Sequence, residues 1–259
     1  MTAALQVQQL TVRYGGVTAV DRVDLSIEPG QLVGLIGPNG AGKTSFIDAL
    51  TGFTSASGRI LFDGRRMDTL PAHARARRGL GRTWQSLELF DDLSVRENAQ
   101  VAAQRSRWWD VLRDAVLRPN SHPADRMADE ALAVLGIQAL ADKQPADLSH
   151  GQRKLVGVAR ALAAEPQVLC LDEPAAGLDP AESHDFGQRL RGLIDGGLTG
   201  LLVDHDMALV LGVCDVIYVL EFGKIIAHGT PAQIRADDRV IAAYLGTSGD
   251  TENEHESTA

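Results

Sequence analysis

Two kinds of hydrophobic pattern divide the chain. Residues 5–12 and 23–28 alternate apolar and polar positions, with Leu5, Val7 and Leu10 in the first and Val23, Leu25 and Ile27 in the second, as half-buried antiparallel strands do. Residues 58–64 read as a short strand closing on Asp-Gly. Residues 168–171 form instead a continuous apolar run, the pattern of a strand covered on both faces. Over residues 86–165 strand signals vanish, and helical patterns at 95–104, 124–135 and 154–164 predict a mostly helical subdomain with a loop at 119–123. Beyond Pro166 the α/β rhythm returns, with strands at 168–171, 198–203, 216–220 and 224–227 and helices at 181–195, 207–213, 231–235 and 239–245. A basic helical turn over 71–78, carrying His73, Arg75, Arg77 and Arg78, reads as a solvated face leading into a strand around 80–84. Residues 247–259 are polar and acidic without apolar periodicity, which predicts a disordered tail.

At 259 residues, 44% hydrophobic and 23% charged, the chain has the means to bury a large core, and 5% aromatic residues make that core one of Leu, Val, Ile and Ala. A net charge of -9 gives an average field that does not attract nucleic acid or an anionic lipid surface, so no nucleic-acid partner is expected. Cys170 and Cys214 each sit in an apolar run and read as buried free thiols in a reducing compartment. The N-terminus has neither a basic nor an apolar signal region, and the longest apolar candidate for a membrane span, 209–222, is broken by Asp215 and Glu221. The expectation is a soluble protein whose membrane association goes through a partner.

The chemistry begins at residues 37–44, Gly37-Pro38-Asn39-Gly40-Ala41-Gly42-Lys43-Thr44, set between an apolar run at 32–36 and a helical pattern from Ser45. That setting is the one a phosphate-binding loop requires. Glycines let successive N–H groups turn inward at an anion, and the following helix adds its positive end. Lys43 would neutralise the β- and γ-phosphates, Thr44 would ligate Mg²⁺, and Ser45 adds a further hydroxyl. Asp172 and Glu173 end the apolar run 168–171, at the end of an open sheet where ligands bind, with the phosphate loop expected on an adjacent strand. Asp172 would hold Mg²⁺ through water, and Glu173 would orient and deprotonate the water attacking the γ-phosphate.

Leu148-Ser149-His150-Gly151-Gln152 resembles the signature motif of ATP-binding cassette (ABC) ATPases, lying before a helix and upstream of the acidic strand as in that family. Tyr14 resembles the family's adenine-stacking aromatic, Gln85 its Q-loop glutamine, residues 176–179 with Asp179 its D-loop, and His205 its switch histidine. The resemblance covers about residues 5–245 and implies an α/β fold: a P-loop ABC ATPase core with an antiparallel β subdomain and an inserted α-helical subdomain. The domain would span 1–246, with the helical insertion at about 86–165. ATP and Mg²⁺ are the implied cofactors. Tyr14 would stack on the purine, while Gln85 would reach metal or attacking water and His205 the γ-phosphate. Ser149, Gly151, Gln152 and Asp179 would contact nucleotide, and because in the family the signature of one subunit completes the phosphate-loop site of another, Ser149 would act in trans. His150 replaces the commoner glycine and is read as having no catalytic part.

A finer resemblance, carried by residues 82–90, 93–98, 202–207, 216–224, 229–231 and 240–246, is to the ATPases of branched-chain amino acid importers. It implies membrane-spanning permease subunits, a second ATPase subunit that is a copy or a relative, a solute-binding protein, and a cytoplasmic location on the inner face of the membrane. Residues 70–80 also resemble the cassette serving lipopolysaccharide export, and a soluble ABC protein clamping nucleic acid is a third, disfavoured class. Leu87, Leu89, Phe90 and Leu93 form an apolar patch that either receives a short permease helix or packs within the helical subdomain. Arg107, Trp108 and Trp109, with apolar residues after them, read as packing there or as a further contact.

Overall fold

In the computed structural model, residues 3–84, 89–103 and 123–245 are described. The N-terminal alternation becomes a hairpin of β1 (Leu5–Tyr14) and β2 (Val17–Ile27), paired antiparallel from Leu5 opposite Ile27 to Tyr14 opposite Val17. The second strand starts at Val17 rather than at 23, because register shifts between Val7 and Arg13 let the ladder continue where simple alternation fails. β4 (Ser57–Phe62) pairs with the other edge of β1, and β5 (Arg65–Arg66) follows it.

A second sheet holds β3 (Leu32–Ile36), β6 (Leu80–Arg82), β7 (Val168–Asp172), β8 (Thr199–Val203), β9 (Val216–Glu221) and β10 (Lys224–Gly229), in the order β10-β9-β3-β8-β7-β6. Its neighbours are parallel except β10, which runs against β9. β3, β7 and β8 are buried at every residue, as continuous apolar runs require. One expectation is corrected: β7 is not adjacent to the strand carrying the phosphate loop, because β8 lies between them. An apolar run shows that a strand is interior but does not say which strand flanks it.

The period of two on β3 divides the interior. Leu32 and Ile36 face one core with helical residues such as Val156, Phe186 and Val210. Val33 and Leu35 face the other, built with Phe46, Ile47 and Leu50 and with Leu5, Val7 and Ile27 of the hairpin. The helices are α1 (Lys43–Thr51), α2 (Ala72–Arg77), α3 (Val95–Ala103), α4 (Pro123–Val134), α5 (His150–Ala163), α6 (Pro180–Asp195), α7 (Met207–Val213), α8 (Pro231–Arg235) and α9 (Asp238–Leu245). Among the described residues no strand lies between Arg82 and Val168, and there α3, α4 and α5 pack together. α5 starts at His150 rather than 154, since a polar capping box opens it before its apolar periodicity begins. The features read at Gln85, Leu87, 107–117 and 247–259 lie outside the described residues.

The solvated-face reading of 71–78 holds for His73, Arg77 and Arg78, which are exposed, and fails at Arg75, which is buried. Its guanidinium donates to Ala49 O and Leu50 O at 2.7 Å each, to Leu70 O at 2.8 Å and to Asp68 O at 2.9 Å. The first two are carbonyls of the last turn of α1, where the i→i−4 ladder runs out; Gly52 N donates to Ala49 O at 3.3 Å and Arg75 adds charged donors to both, so Arg75 caps the helix that follows the phosphate loop. Arg75→Ala should therefore destabilise the fold by about 3 kcal/mol, read from urea unfolding, because buried acceptors lose a charged donor. Arg75→Lys should recover only part of it.

Candidate functional site

Three strand ends converge on one edge of the large sheet, and the loop from β3 to α1 is the most constrained of them. A Cβ on Gly37 would lie 2.0 Å from Leu220 O, and one on Gly42, whose φ is 106°, would lie 2.2 Å from Ala19 O. β9 and β2 thus clamp the loop from two sides, and a bond of 2.9 Å from Gly223 N to Ala41 O closes the clamp. Gly42 caps α1 without any side-chain hydrogen bond, and the first turn holds no acidic residue. The positive end of the helix is therefore left to an anion. Lys43 is buried, its Nζ donating to Gly37 O at 2.7 Å and Pro38 O at 3.1 Å. Burial pulls its pKa down from the ordinary lysine range, and the charges of Glu173, Asp204 and Asp172 oppose that. Asn39, Gly40 and Thr44 are exposed, Pro38 and Ser45 half-buried, and Ala41 buried.

β7 delivers Asp172 and Glu173, and β8 delivers Asp204 and His205 between β7 and β3. Glu173 has a left-handed φ of 45°, held by its N–H donating to Val203 O at 2.7 Å. His205 Nδ1 stands 3.9 Å from Glu173 Oε2 and 3.6 Å from Asp204 Oδ1. Asp204, which sequence reasoning passed over, is fully buried and accepts from His205 N at 2.7 Å, Asp206 N at 3.0 Å and Ala175 N at 3.4 Å. It ties the histidine turn to the loop after Glu173. Burial raises the pKa of Asp204, opposed by those N–H groups, and raises that of Asp172, opposed by Arg82. Lys154 of α5 was also missed; it is buried, with Nζ 3.4 Å from Glu173 O. A lysine in a helical pattern carries no sequence sign that it turns inward, whereas Asp204, at the end of an apolar strand run, did carry one.

The signature residues sit on the first turn of α5. Ser149 is its N-cap: Ser149 Oγ accepts from Gln152 N at 3.2 Å and Gln152 Oε1 accepts from Ser149 N at 3.1 Å. A Cβ on Gly151 would lie 3.0 Å from Glu182 Oε1. His150 Nε2 donates to Ala176 O at 3.2 Å, and its ring lies against Gly177. The side chain read as having no catalytic part ties the signature to the segment 176–179. Asp179 caps α6, accepting from Ala181 N and Glu182 N at 2.8 Å each. None of these partners belongs to the 37–45 loop. Tyr14 is half exposed at the tip of the first hairpin, opposite the exposed Val17.

A cavity of about 720 Å³ opens beside β6, lined by Phe53, Trp84, Leu89, Val158, Ala161 and Pro174 among others. Of the patch read at 87–93, Leu89 lines it, Phe90 is exposed under the Arg160 guanidinium, and Leu93 is half-buried elsewhere.

Lys43, Asp172, Glu173, Asp204 and His205 are brought to one sheet edge, the place where open α/β sheets bind ligands. The clamped glycines and uncapped helix fit a chain of phosphates, and Thr44 with Asp172 offers the hard oxygen donors that suit Mg²⁺. Among the described residues no cluster of three or more His, Cys, Asp or Glu is placed to hold a metal alone, so the ion would need phosphate oxygens too. Gly42→Ala should weaken binding of a fluorescent ATP analogue by at least about tenfold, since the added methyl collides with Ala19 O in a backbone conformation unfavourable to alanine.

The family model described as ABC transporter matches residues 20–176, and that described as branched-chain amino acid ATP-binding cassette transporter matches residues 224–250. The chain is 39% identical over 248 residues to the high-affinity branched-chain amino acid transport ATP-binding protein BraF of Pseudomonas aeruginosa, covering 93% of this chain and 97% of that one. It is 38% identical over 245 residues to the lipopolysaccharide export system ATP-binding protein LptB of Escherichia coli, covering 94% and 98%. Among solved structures it is similar to an ATP-binding cassette of an ABC transporter in its ADP conformation, with a TM-score of 0.82, 29% identity, and coverage of 95% of this chain and 100% of that one.

Proposed function

The chain belongs to the ABC transporter family as its ATP-binding, ATP-hydrolysing subunit, and on that premise we propose that it drives import of branched-chain or related amino acids through partner permease subunits. The observation that carries this is the second family match, at 224–250, in a segment lying beyond the general cassette match. Overall identity does not separate the readings, since 39% to an amino acid transport ATPase stands beside 38% to a lipopolysaccharide export ATPase. The export reading remains the alternative on that second likeness.

In the proposed cycle the N-terminus of α1 and Lys43 hold the β- and γ-phosphates, and Tyr14 lies against the purine. Thr44, Asp172 and Gln85 are the residues that would hold Mg²⁺, which when bound neutralises charge on the phosphate oxygens. Glu173 takes the proton of the attacking water, and His205 contacts the γ-phosphate. Ser149, Gly151, Gln152 and Asp179 act on the nucleotide of a second cassette, so closure of a dimer completes the site. Among the described residues no helix is long and apolar enough to cross a membrane. Attachment to the inner face therefore runs through the permease, and the 720 Å³ cavity beside Trp84 is where a short permease helix docks. An extracytoplasmic solute-binding protein would complete the importer.

Glu173→Gln should retain ATP binding and lose at least about 100-fold in hydrolysis. Tagged and purified from gently solubilised membranes with ATP and Mg²⁺, it should bring with it permease subunits, a second cassette and a solute-binding protein, identified by mass spectrometry. Recovery of lipopolysaccharide-export components would favour the alternative, and recovery of no membrane protein would sink both. Leu89→Asp with Ala161→Glu should abolish permease recovery while ATP binding in EDTA stays within about twofold, because both side chains line the cavity and neither lies in the 37–45 loop.

A further inference from the structure

The side chain of Arg82 is buried between two carboxylates. One terminal nitrogen donates to Asp172 Oδ2 at 2.7 Å, and the other to Asp48 Oδ1 at 2.6 Å and Thr51 Oγ1 at 3.1 Å. Asp48 and Thr51 lie on α1, the helix that the phosphate loop opens, whereas Asp172 ends β7, so one guanidinium joins the two elements that would hold phosphate and metal. The same group lies 4.3 Å from the Trp84 ring centroid and 5.8 Å from that of Phe53, and the two rings meet edge to face at 4.7 Å. Arg82, Trp84 and Phe53 all line the 720 Å³ cavity. Arg82 Nε is buried without a hydrogen-bond partner, so the side chain is held by its terminal nitrogens and by the rings. The β6–β7 ladder fixes its root, with Arg82 opposite Cys170, and the next residue takes Asp172 N on Thr83 Oγ1 at 3.2 Å.

We propose that Arg82 is a positioning residue through which the state of the cavity beside Trp84 sets the carboxylate of Asp172. The inference rests on the reading of Asp172 as a Mg²⁺ ligand and adds to it the group that holds this ligand in place. A planar fork can satisfy Asp172 and Asp48 together while stacking on a ring, so a shift of Trp84 moves the guanidinium and with it Asp172 Oδ2. A lysine has a single point of attachment and cannot bridge both carboxylates under an aromatic face.

The test uses Glu173→Gln protein with Trp108→Phe and Trp109→Phe, which leaves Trp84 as the one tryptophan. Affinity for a fluorescent ATP analogue is measured in EDTA and across a Mg²⁺ titration, with Trp84 emission followed alongside. In this background, Mg²⁺ should change Trp84 emission at the same half-saturating concentration at which it tightens nucleotide binding. Adding Arg82→Lys should leave binding in EDTA within twofold, raise the half-saturating Mg²⁺ about tenfold and abolish the Trp84 response. An unchanged Mg²⁺ half-saturation would overturn the proposal, as would a Trp84 response that survives the substitution. Equal loss of binding in EDTA and Mg²⁺ would show Arg82 to be a fold element only, and would also overturn it. Asp48→Asn, which frees one arm of Arg82 and leaves Asp172 in place, should shift the Mg²⁺ half-saturation in the same direction by a smaller factor, and serves if Arg82→Lys does not fold. Mg²⁺-independent nucleotide binding by the Arg82-containing protein is a separate matter: there the assignment of Asp172 as a metal ligand itself fails.

Discussion

Two backbone carbonyls, Leu220 O on β9 and Ala19 O on β2, leave no room for a Cβ on Gly37 or Gly42, and the loop between them has its shape because of that exclusion. The constraint reaches across both sheets. β9 belongs to the parallel sheet and β2 to the antiparallel hairpin, and the loop lies where the two meet. Arg75 secures the far end of the following helix by taking the carbonyls of Ala49 and Leu50. A short helix is thereby held at both ends by other elements, which is what a fixed anion site at its first turn demands.

Charge is handled with the same economy of contact. Lys43, Lys154, Arg82, Asp172 and Asp204 all carry buried side chains around the three strand ends, and each has a charged or backbone partner within hydrogen-bond reach. Isolated, any of these groups would be costly to bury. Together they form a network of both signs, in which burial and pairing push in opposite directions at Lys43, Asp172 and Asp204.

Much of this was legible in the chain itself. The continuous apolar runs at 32–36 and 168–171 are β3 and β7. The gaps have physical causes. Alternation could not reveal that β2 begins at Val17, because bulges in β1 shift the register. Nor could any local pattern reveal that β8 separates β3 from β7, since strand order is decided by crossovers. Arg75 and Lys154 look like surface cations in sequence, and only the carbonyls brought from other elements make their burial possible. His150 needed the neighbouring Gly177 before its contact with Ala176 could exist.

The alternate facing of β3, with Leu32 and Ile36 on one side and Val33 and Leu35 on the other, makes the parallel sheet a partition between two interiors. The helical interior backs the face that carries α3, α4 and α5, while the other supports the phosphate-loop helix. Side chains on one side can be exchanged for others of matched volume without disturbing the packing across the sheet. The partition ends at the strand ends, where Lys154 of α5 reaches Glu173 O and the cavity beside Trp84 is lined by Leu80 from one interior and Val158 from the other, so there a change in either half is felt by both.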